Sequence, residues 1–205
     1  MTTPQQPEER FPDWETLYRQ QAGETLPWYY ADLDPDLAAA LRDHGLARGR
    51  LLDLGTGPGT QAIALAARGF EVTGSDLSAT AVAKATALAQ ARGVAVSFVQ
   101  DDVLASRLSE RFDAVFDRGC FHVIDPERRS DYVEAVARRL APGGLLLLKT
   151  FSEQQPGGVL PYRFSPDAIR TIFAPRFALL SATETVYRGT LDPLPRALFS
   201  VLRRV

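Results

Sequence analysis

The chain has little of the side-chain chemistry that many enzymes rely on. Of its 205 residues one is cysteine, Cys120, and two are histidine, His44 and His122. One cysteine excludes an internal disulfide, and the scarcity of both residue types argues against a zinc centre of the usual kind. The apolar run at residues 145–148 is far too short to span a bilayer, which takes about 20 residues. Basic runs with interleaved aromatics are missing too. The net charge is −2, so there is no general attraction to nucleic acid or to an anionic membrane, and neither partner is expected. Residues 1–10 are polar and rich in proline and glutamine, with no apolar core of a leader peptide. They are expected to be disordered, and the protein to be cytoplasmic.

What is present points to a single folded unit. Apolar residues make up 45% and charged residues 23%, the composition of a chain that buries a core. The most informative stretch is residues 51–60, Leu-Leu-Asp-Leu-Gly-Thr-Gly-Pro-Gly-Thr. It reads as an apolar strand, a turn with glycines at 55, 57 and 59, and the start of an alanine-rich helix. Backbone without Cβ atoms can pass close to a ligand. Dinucleotide folds write this turn G-x-G-x-x-G and rest a pyrophosphate on the following helix. Here the third glycine comes one residue early, Pro58 removes an amide donor, and Asp53 would repel a polyanion. The same carboxylate suits a ligand carrying ammonium and sulfonium groups, as S-adenosylmethionine does.

Acids recur in the same register. Asp76 ends the next apolar strand (residues 70–75), 21 residues after Gly55, where it can accept from ribose hydroxyls. Asp101 and Asp102 follow a strand at 94–99, and Asp117 follows one at 114–116. Each alone is equally a helix cap or turn residue. Four acidic strand ends together form a rim suited to a cationic nucleoside, since open α/β sheets bind ligands beyond the carboxyl ends of their strands.

The remaining pattern alternates strand and helix. Helices are expected at 14–19, from Asp34-Pro35 to His44, at 60–68, at 79–92 behind a Ser78 cap, from Asp125-Pro126 to Leu140, and after Ser165-Pro166. A fifth strand is expected at 145–151, after the Pro142-Gly143-Gly144 turn. Segments 177–187 and 197–204 lack a helix between them and should pair antiparallel at one edge. The rest implies right-handed crossovers and a buried parallel sheet.

These residues resemble a class I S-adenosylmethionine-dependent methyltransferase, nearest the thiopurine S-methyltransferase and tellurite-resistance group. The resemblance rests on the Asp53–Gly59 turn, Asp76, Asp117-Arg118-Gly119, residues 140–144, Pro161-Tyr162-Arg163-Phe164, and the aromatic pair Trp14 and Tyr18. It covers the chain from Trp14 onward. Cys120-Phe121-His122 departs from it, because thiopurine enzymes carry small apolar residues there.

The resemblance implies a three-layer αβα Rossmann-like fold with a seven-stranded, mostly parallel sheet and an antiparallel last strand. Residues 11–205 then form one methyltransferase domain, with 11–33 as an N-terminal lid. It implies S-adenosyl-L-methionine as cofactor, held by Trp14, Trp28, Asp53, Gly55, Thr56, Gly57, Asp76, Leu77, Asp101, Asp102, Val103 and Asp117. The acceptor is expected to be a small molecule, a thiol or other soft nucleophile, contacted by Tyr18, Trp28, Arg118, Phe121, Tyr162 and Arg163. Tyr18, Arg118 and His122 are the catalytic candidates, Arg118 as a fork for an anionic group and His122 as a base. The plainer alternatives are an ion pair between Arg118 and a rim acid, a packing role for His122, and a self-contained aromatic flap. An O- or N-methyltransferase, a non-catalytic cofactor-binding protein and, more distantly, a nicotinamide dehydrogenase stay open. The protein is expected to be a monomer or weak homodimer.

Overall fold

The long strand Leu140–Ser152 shows how one stretch of sequence builds two layers. Successive side chains of a strand point to opposite faces. Leu145 and Leu147 therefore enter one core with Leu51, Phe116, Leu37 and Leu65, while Leu146 and Leu148 enter another with Val115, Val136, Ile169 and Phe173. A sheet buried on both faces is what a parallel α/β arrangement requires.

The computed structural model describes residues 11–158 and 161–205, so the expectation for residues 1–10 lies outside the described residues. The strands are β1 (Arg50–Leu54), β2 (Glu71–Asp76), β3 (Ser97–Gln100), β4 (Phe112–Asp117), β5 (Leu140–Ser152), β6 (Arg163–Phe164), β7 (Phe177–Val186) and β8 (Arg196–Arg204). Their order is β3-β2-β1-β4-β5-β8-β7, with β6 paired to the end of β5. β1 to β5 are parallel to one another, and β8 runs antiparallel to both β5 and β7. The fold is the expected Rossmann-like one with an antiparallel last strand, enlarged to eight strands by the two-residue β6. The chain leaves β1 and β4 toward opposite sides, so the crevice above them is the switch point of the sheet.

The helices are α1 (Trp14–Gln20), α2 (Pro35–Asp43), α3 (Thr60–Ala66), α4 (Ala79–Ala91), α5 (Arg129–Arg139) and α6 (Pro166–Phe173). Asp13, Asp34, Ser78 and Ser165 cap α1, α2, α4 and α6, each accepting a backbone N–H of the first turn. The helix expected from Asp125-Pro126 opens instead as a 3₁₀ turn at Pro126–Arg128 before α5. Pro142-Gly143-Gly144 is absorbed into β5 as an irregularity, where the partners of Phe112 and Ala114 are Leu140 and Leu145.

Two polar devices fix the segments above the crevice. Asp34, fully buried, accepts from Lys149 Nζ at 2.8 and 3.0 Å and from Arg118 Nε at 2.9 Å. Burial alone would push its carboxyl up, but Lys149 and Arg118 outweigh that and hold it below the ordinary value. Lys149 follows Leu145 and Leu147 on the α2 side of the sheet and also reaches Asp36 at 2.7 Å. The second device docks α1 on α4. Glu15 accepts from the Ser78 hydroxyl and from the Thr80 hydroxyl and amide, at 2.6, 2.5 and 3.1 Å. Lys84 donates to the Tyr18 and Gln21 carbonyls near the other end of α1.

Each device makes a prediction. Lys149→Met leaves the buried Asp34 carboxylate short of a counter-charge, and urea unfolding should show a loss of about 3–5 kcal/mol. A loss below about 1 kcal/mol would show that Arg118 alone suffices. For Glu15, the Ser78 and Thr80 hydrogen bonds lower the carboxyl from its ordinary 4.5 to about 2. Its docking contribution is therefore complete above pH 4.5 and is lost as pH falls toward 2. Trp14 and Trp28 are the chain's two tryptophans and both belong to the small core that α1 joins. Glu15→Gln should red-shift their fluorescence at neutral pH, and the difference from wild type should vanish as pH drops through that window.

Candidate active site

The glycine turn after β1 takes its shape from a set of short hydrogen bonds. The Thr56 hydroxyl donates to Asp53 Oδ2 at 2.6 Å, and the Thr56 amide donates to the Ser75 carbonyl at 2.8 Å. Asp76 accepts the Gly57 amide on one oxygen and the Ser78 amide on the other, at 2.8 and 2.9 Å. Each oxygen keeps a further acceptor position. Gly57 has φ +50°, and a Cβ there would sit 2.6 Å from the Tyr18 hydroxyl, so glycine lets α1 come down onto the turn. Gly55, at φ +67°, passes less closely by Cys120, whose Cβ would lie 3.2 Å from an added Cβ.

Above this turn lies a cavity of about 560 Å³, within the range of small-molecule sites. Toward β2 and β3 it is lined by Gly55, Asp76, Leu77, Asp101, Asp102 and Val103. Toward β5 and β8 it is lined by His122, Phe151, Tyr187, Leu191 and Pro195. Trp14, Tyr18, Pro27 and Trp28 from the N-terminal segment also line it. Trp28 sits edge-on to both Trp14 and Tyr18, with ring centroids 6.1 and 6.4 Å apart. Leu77 is 54% exposed, an apolar side chain bare at the acidic end.

The structure thus brings together Trp14, Tyr18, Trp28, Gly55, Asp76, Leu77, Asp101, Asp102, Val103, Arg118 and His122. Other expected contacts need correction. Asp53, Thr56 and Gly57 do not line the cavity; they shape the turn behind it. Burial pushes the Asp53 carboxyl up to about 7, against the pull of the Thr56 bond. Asp117 is fully buried and accepts the amides of Gly119, Cys120 and Phe121 and the Tyr132 hydroxyl, so it organises the loop after β4. Phe121 is not at the acceptor end. It packs in the core against Tyr132, Phe164 and Phe173, with centroids 4.9, 5.0 and 5.0 Å away. Tyr162 and Arg163 are also outside the lining: the Tyr162 hydroxyl donates to Asp125, and Arg163 donates to the Pro156 and Gly158 carbonyls.

Arg118 reaches the cavity, yet it is not a free fork. Nε donates to Asp34, Nη1 to the Trp28 carbonyl at 2.9 Å, and Nη2 to the Arg188 carbonyl. Its partner is the cap of α2 rather than a strand-end acid. Three segments remote in sequence are tied together there.

Phe151, Tyr187, Leu191, Pro195 and Pro27 were not expected at the site. Pro27 belongs to the N-terminal segment, and the other four come from the ends and edge loops of the later strands, where sequence carries no motif. Lys149 did carry a signal, a lone charge in the buried run Leu-Leu-Leu-Leu-Lys-Thr-Phe. Among the described residues, no group of three or more His, Cys, Asp or Glu is placed to hold a metal ion. No described helix is long and apolar enough to cross a membrane.

S-adenosylmethionine fits what is present. Acids and an exposed apolar side chain occupy one end, aromatic faces that attract a cation lie alongside, and the guanidinium of Arg118 is neutralised by Asp34.

Comparison with known proteins identifies the family. Residues 51–144, from β1 into β5, match the family described as methyltransferase domain. The chain is 30% identical over 166 residues to a probable thiol methyltransferase 2 of Arabidopsis thaliana, covering 79% of this chain and 71% of that protein. It is 31% identical over 146 residues to a 2-heptyl-1-hydroxyquinolin-4(1H)-one methyltransferase of Mycobacteroides abscessus, covering 68% and 64%. A solved structure from work on the conversion of a disulfide bond into a thioacetal group during echinomycin biosynthesis superposes with a TM-score of 0.81. It is 29% identical, with 93% of this chain and 90% of that one covered. The chain belongs to the class I S-adenosylmethionine-dependent methyltransferases and is related to the thiopurine methyltransferase group.

Proposed function

We propose that this methyltransferase modifies a small molecule, with a thiol or other soft nucleophile as the methyl acceptor. The observation that carries the reading is the division of one cavity into an acid-lined end and an apolar aromatic end. In this reading Asp76 accepts from the ribose hydroxyls, Leu77 covers a face of the adenine, and Asp102 with the Val103 amide reads its edge. Asp101 lines the same end, and Gly55 lets the backbone approach the amino-acid portion. Residues 11–33 act as the lid, with Trp14, Tyr18 and Trp28 turned toward the cation. The similarity to a probable thiol methyltransferase supports the soft acceptor. The hydroxyquinolinone relative keeps a small-molecule O- or N-acceptor as the second reading.

When bound, S-adenosylmethionine supplies an electrophilic methyl group. The residues of this chain orient the acceptor and exclude water, a proximity effect that covers most of what such a reaction needs. Arg118 fixes the Trp28 backbone and the 188 loop against Asp34, so the walls keep their spacing. With a net charge of −2 and a site for small ligands, we read the protein as a cytoplasmic monomer or weak homodimer working without nucleic acid or membrane.

The test is incubation with methyl-labelled S-adenosylmethionine and a panel of benzenethiol, thiocyanate, phenol and a heteroaromatic amine, read by product mass. S-methyl products should dominate. Exclusive O- or N-methyl products would establish the second reading, and binding without any transfer would leave a cofactor-binding protein. Gly57→Ala forces a Cβ against the Tyr18 hydroxyl at a positive φ. It should weaken S-adenosylhomocysteine binding about tenfold or more by calorimetry, the cost of about 1.4 kcal/mol of strain.

A further inference from the structure

His122 stands at the acceptor end of the cavity with one ring nitrogen satisfied and the other not. Its ring packs against Phe151 and Tyr187, with centroids 4.8 and 5.7 Å away. Nδ1 lies 3.2 Å from the Tyr187 hydroxyl oxygen, and that oxygen lies 2.5 Å from the Lys149 carbonyl. A phenol has one proton to give and a carbonyl has none. The shorter contact takes the Tyr187 proton, because two acceptor oxygens do not approach so closely without one. The 3.2 Å contact is then completed by a proton on Nδ1, which makes Tyr187 the acceptor there.

This arrangement sets the tautomer and leaves the lone pair on Nε2. Nε2 lies beside Gly119, where a Cβ would stand 3.6 Å from it, and both residues line the cavity. Among the described residues no hydrogen bond reaches Nε2. Burial, with the nearby Arg118 charge adding to it, lowers the imidazole to about 3, so the lone pair is present at neutral pH. Among the described residues the same end of the cavity offers no unpaired cation for an anionic acceptor, since Arg118 serves Asp34 and two carbonyls.

We propose that His122 Nε2 accepts the hydrogen bond of an uncharged S–H acceptor and receives its proton, and that Tyr187 is the positioning residue that sets the tautomer. This rests on the methyltransferase reading above and names the acceptor's charge state and its anchor. A lone pair of the acceptor sulfur forms the new S–CH₃ bond while the donor's S–CH₃ bond breaks, its electron pair staying on the donor sulfur. The acceptor's proton passes to Nε2 and from there to water. One positive charge enters and one leaves, and no other reactant is needed. Even an imidazole of lowered basicity is far more basic than a thioether sulfur, so the protonated thioether formed on methyl transfer gives its proton to Nε2. The thiol therefore need not ionise first, which matters in an apolar pocket that raises its ordinary pKa of about 8.5. An O–H or N–H acceptor presents the same kind of donor, and the methylation panel separates these from thiols.

The experiment uses calorimetry on protein saturated with S-adenosylhomocysteine, so that no transfer occurs. Benzenethiol, which carries the S–H, should bind about tenfold tighter than methyl phenyl sulfide, which lacks it, as a buried hydrogen bond predicts. Thiocyanate should bind more weakly than benzenethiol. His122→Phe should erase the gap between thiol and thioether. Nitrogen-15 NMR of the imidazole should show a single Nδ1–H tautomer in wild type and a mixture in Tyr187→Phe, with the affinity gap narrowed. Equal affinities in wild type, an Nε2–H tautomer, tightest binding by thiocyanate, or an unchanged gap in His122→Phe would overturn the proposal. If His122→Phe does not fold, the wild-type affinities and tautomer decide it. Failure of wild type to bind S-adenosylhomocysteine would instead overturn the reading of the cofactor end.

Discussion

The buried carboxylate of Asp34 holds the upper half of this molecule in register. It caps α2, accepts Lys149 from the middle of the sheet, and accepts Arg118 from the loop after β4. Through Arg118 it also governs the backbone at Trp28 and at Arg188. A charge removed from water is costly unless paired and hydrogen-bonded. Here two cations converge on one carboxylate, and Asp36, part-exposed, shares Lys149. The geometry is therefore specified: moving any one segment strands a charge. Hydrophobic packing between α1, Trp28 and α4 would tolerate sliding, whereas this network does not.

The cavity inherits its asymmetry from that network. With its charge balanced at Asp34, Arg118 presents no free cation to the cavity, so the acids on the β2 and β3 side are not neutralised across the space. The far wall is built from Phe151, Tyr187, Leu191 and Pro195 and is apolar. A positively charged ligand is drawn to one end, and an uncharged body to the other. Dock α1 over the turn, with the Tyr18 hydroxyl against Gly57, and water is excluded from the space between, which strengthens every remaining polar contact.

The fold was largely legible because its signals are local. Alternating apolar runs, serine and aspartate caps and glycine stops are set within a few residues, and the strands and helices they predicted are present. The acidic rim was legible only as a pattern. All the strand-end aspartates looked alike, but the register separates them. Asp117 pairs with Leu54, and Ser75 pairs with Leu54 on the other side, so Asp76 lies one residue above that row and Asp53 one below. A step of one residue decides whether a carboxylate lines the cavity or closes its own loop. Phe121 failed for a related reason. A 3₁₀ turn puts Phe121 into the core and His122 toward the cavity, and a linear motif gives both the same weight.

Arg118 and His122 show where sequence reasoning stops in physical terms. The role of a polar side chain depends on whether its hydrogen-bonding capacity is already spent, and the partners that spend it lie far away in the chain. Three of the five N–H donors of Arg118 serve residues 28, 34 and 188, and Asp34 balances its charge, so it is not a free anion fork. His122 is half spent, by Tyr187, and that half fixes what the other can do. A neutral imidazole with its lone pair turned into an apolar space selects for a donor, just as an acid-lined recess selects for a cation. The two selections sit at opposite ends of one cavity, and a reaction that brings a cation to one end and a proton donor to the other is the chemistry that arrangement favours.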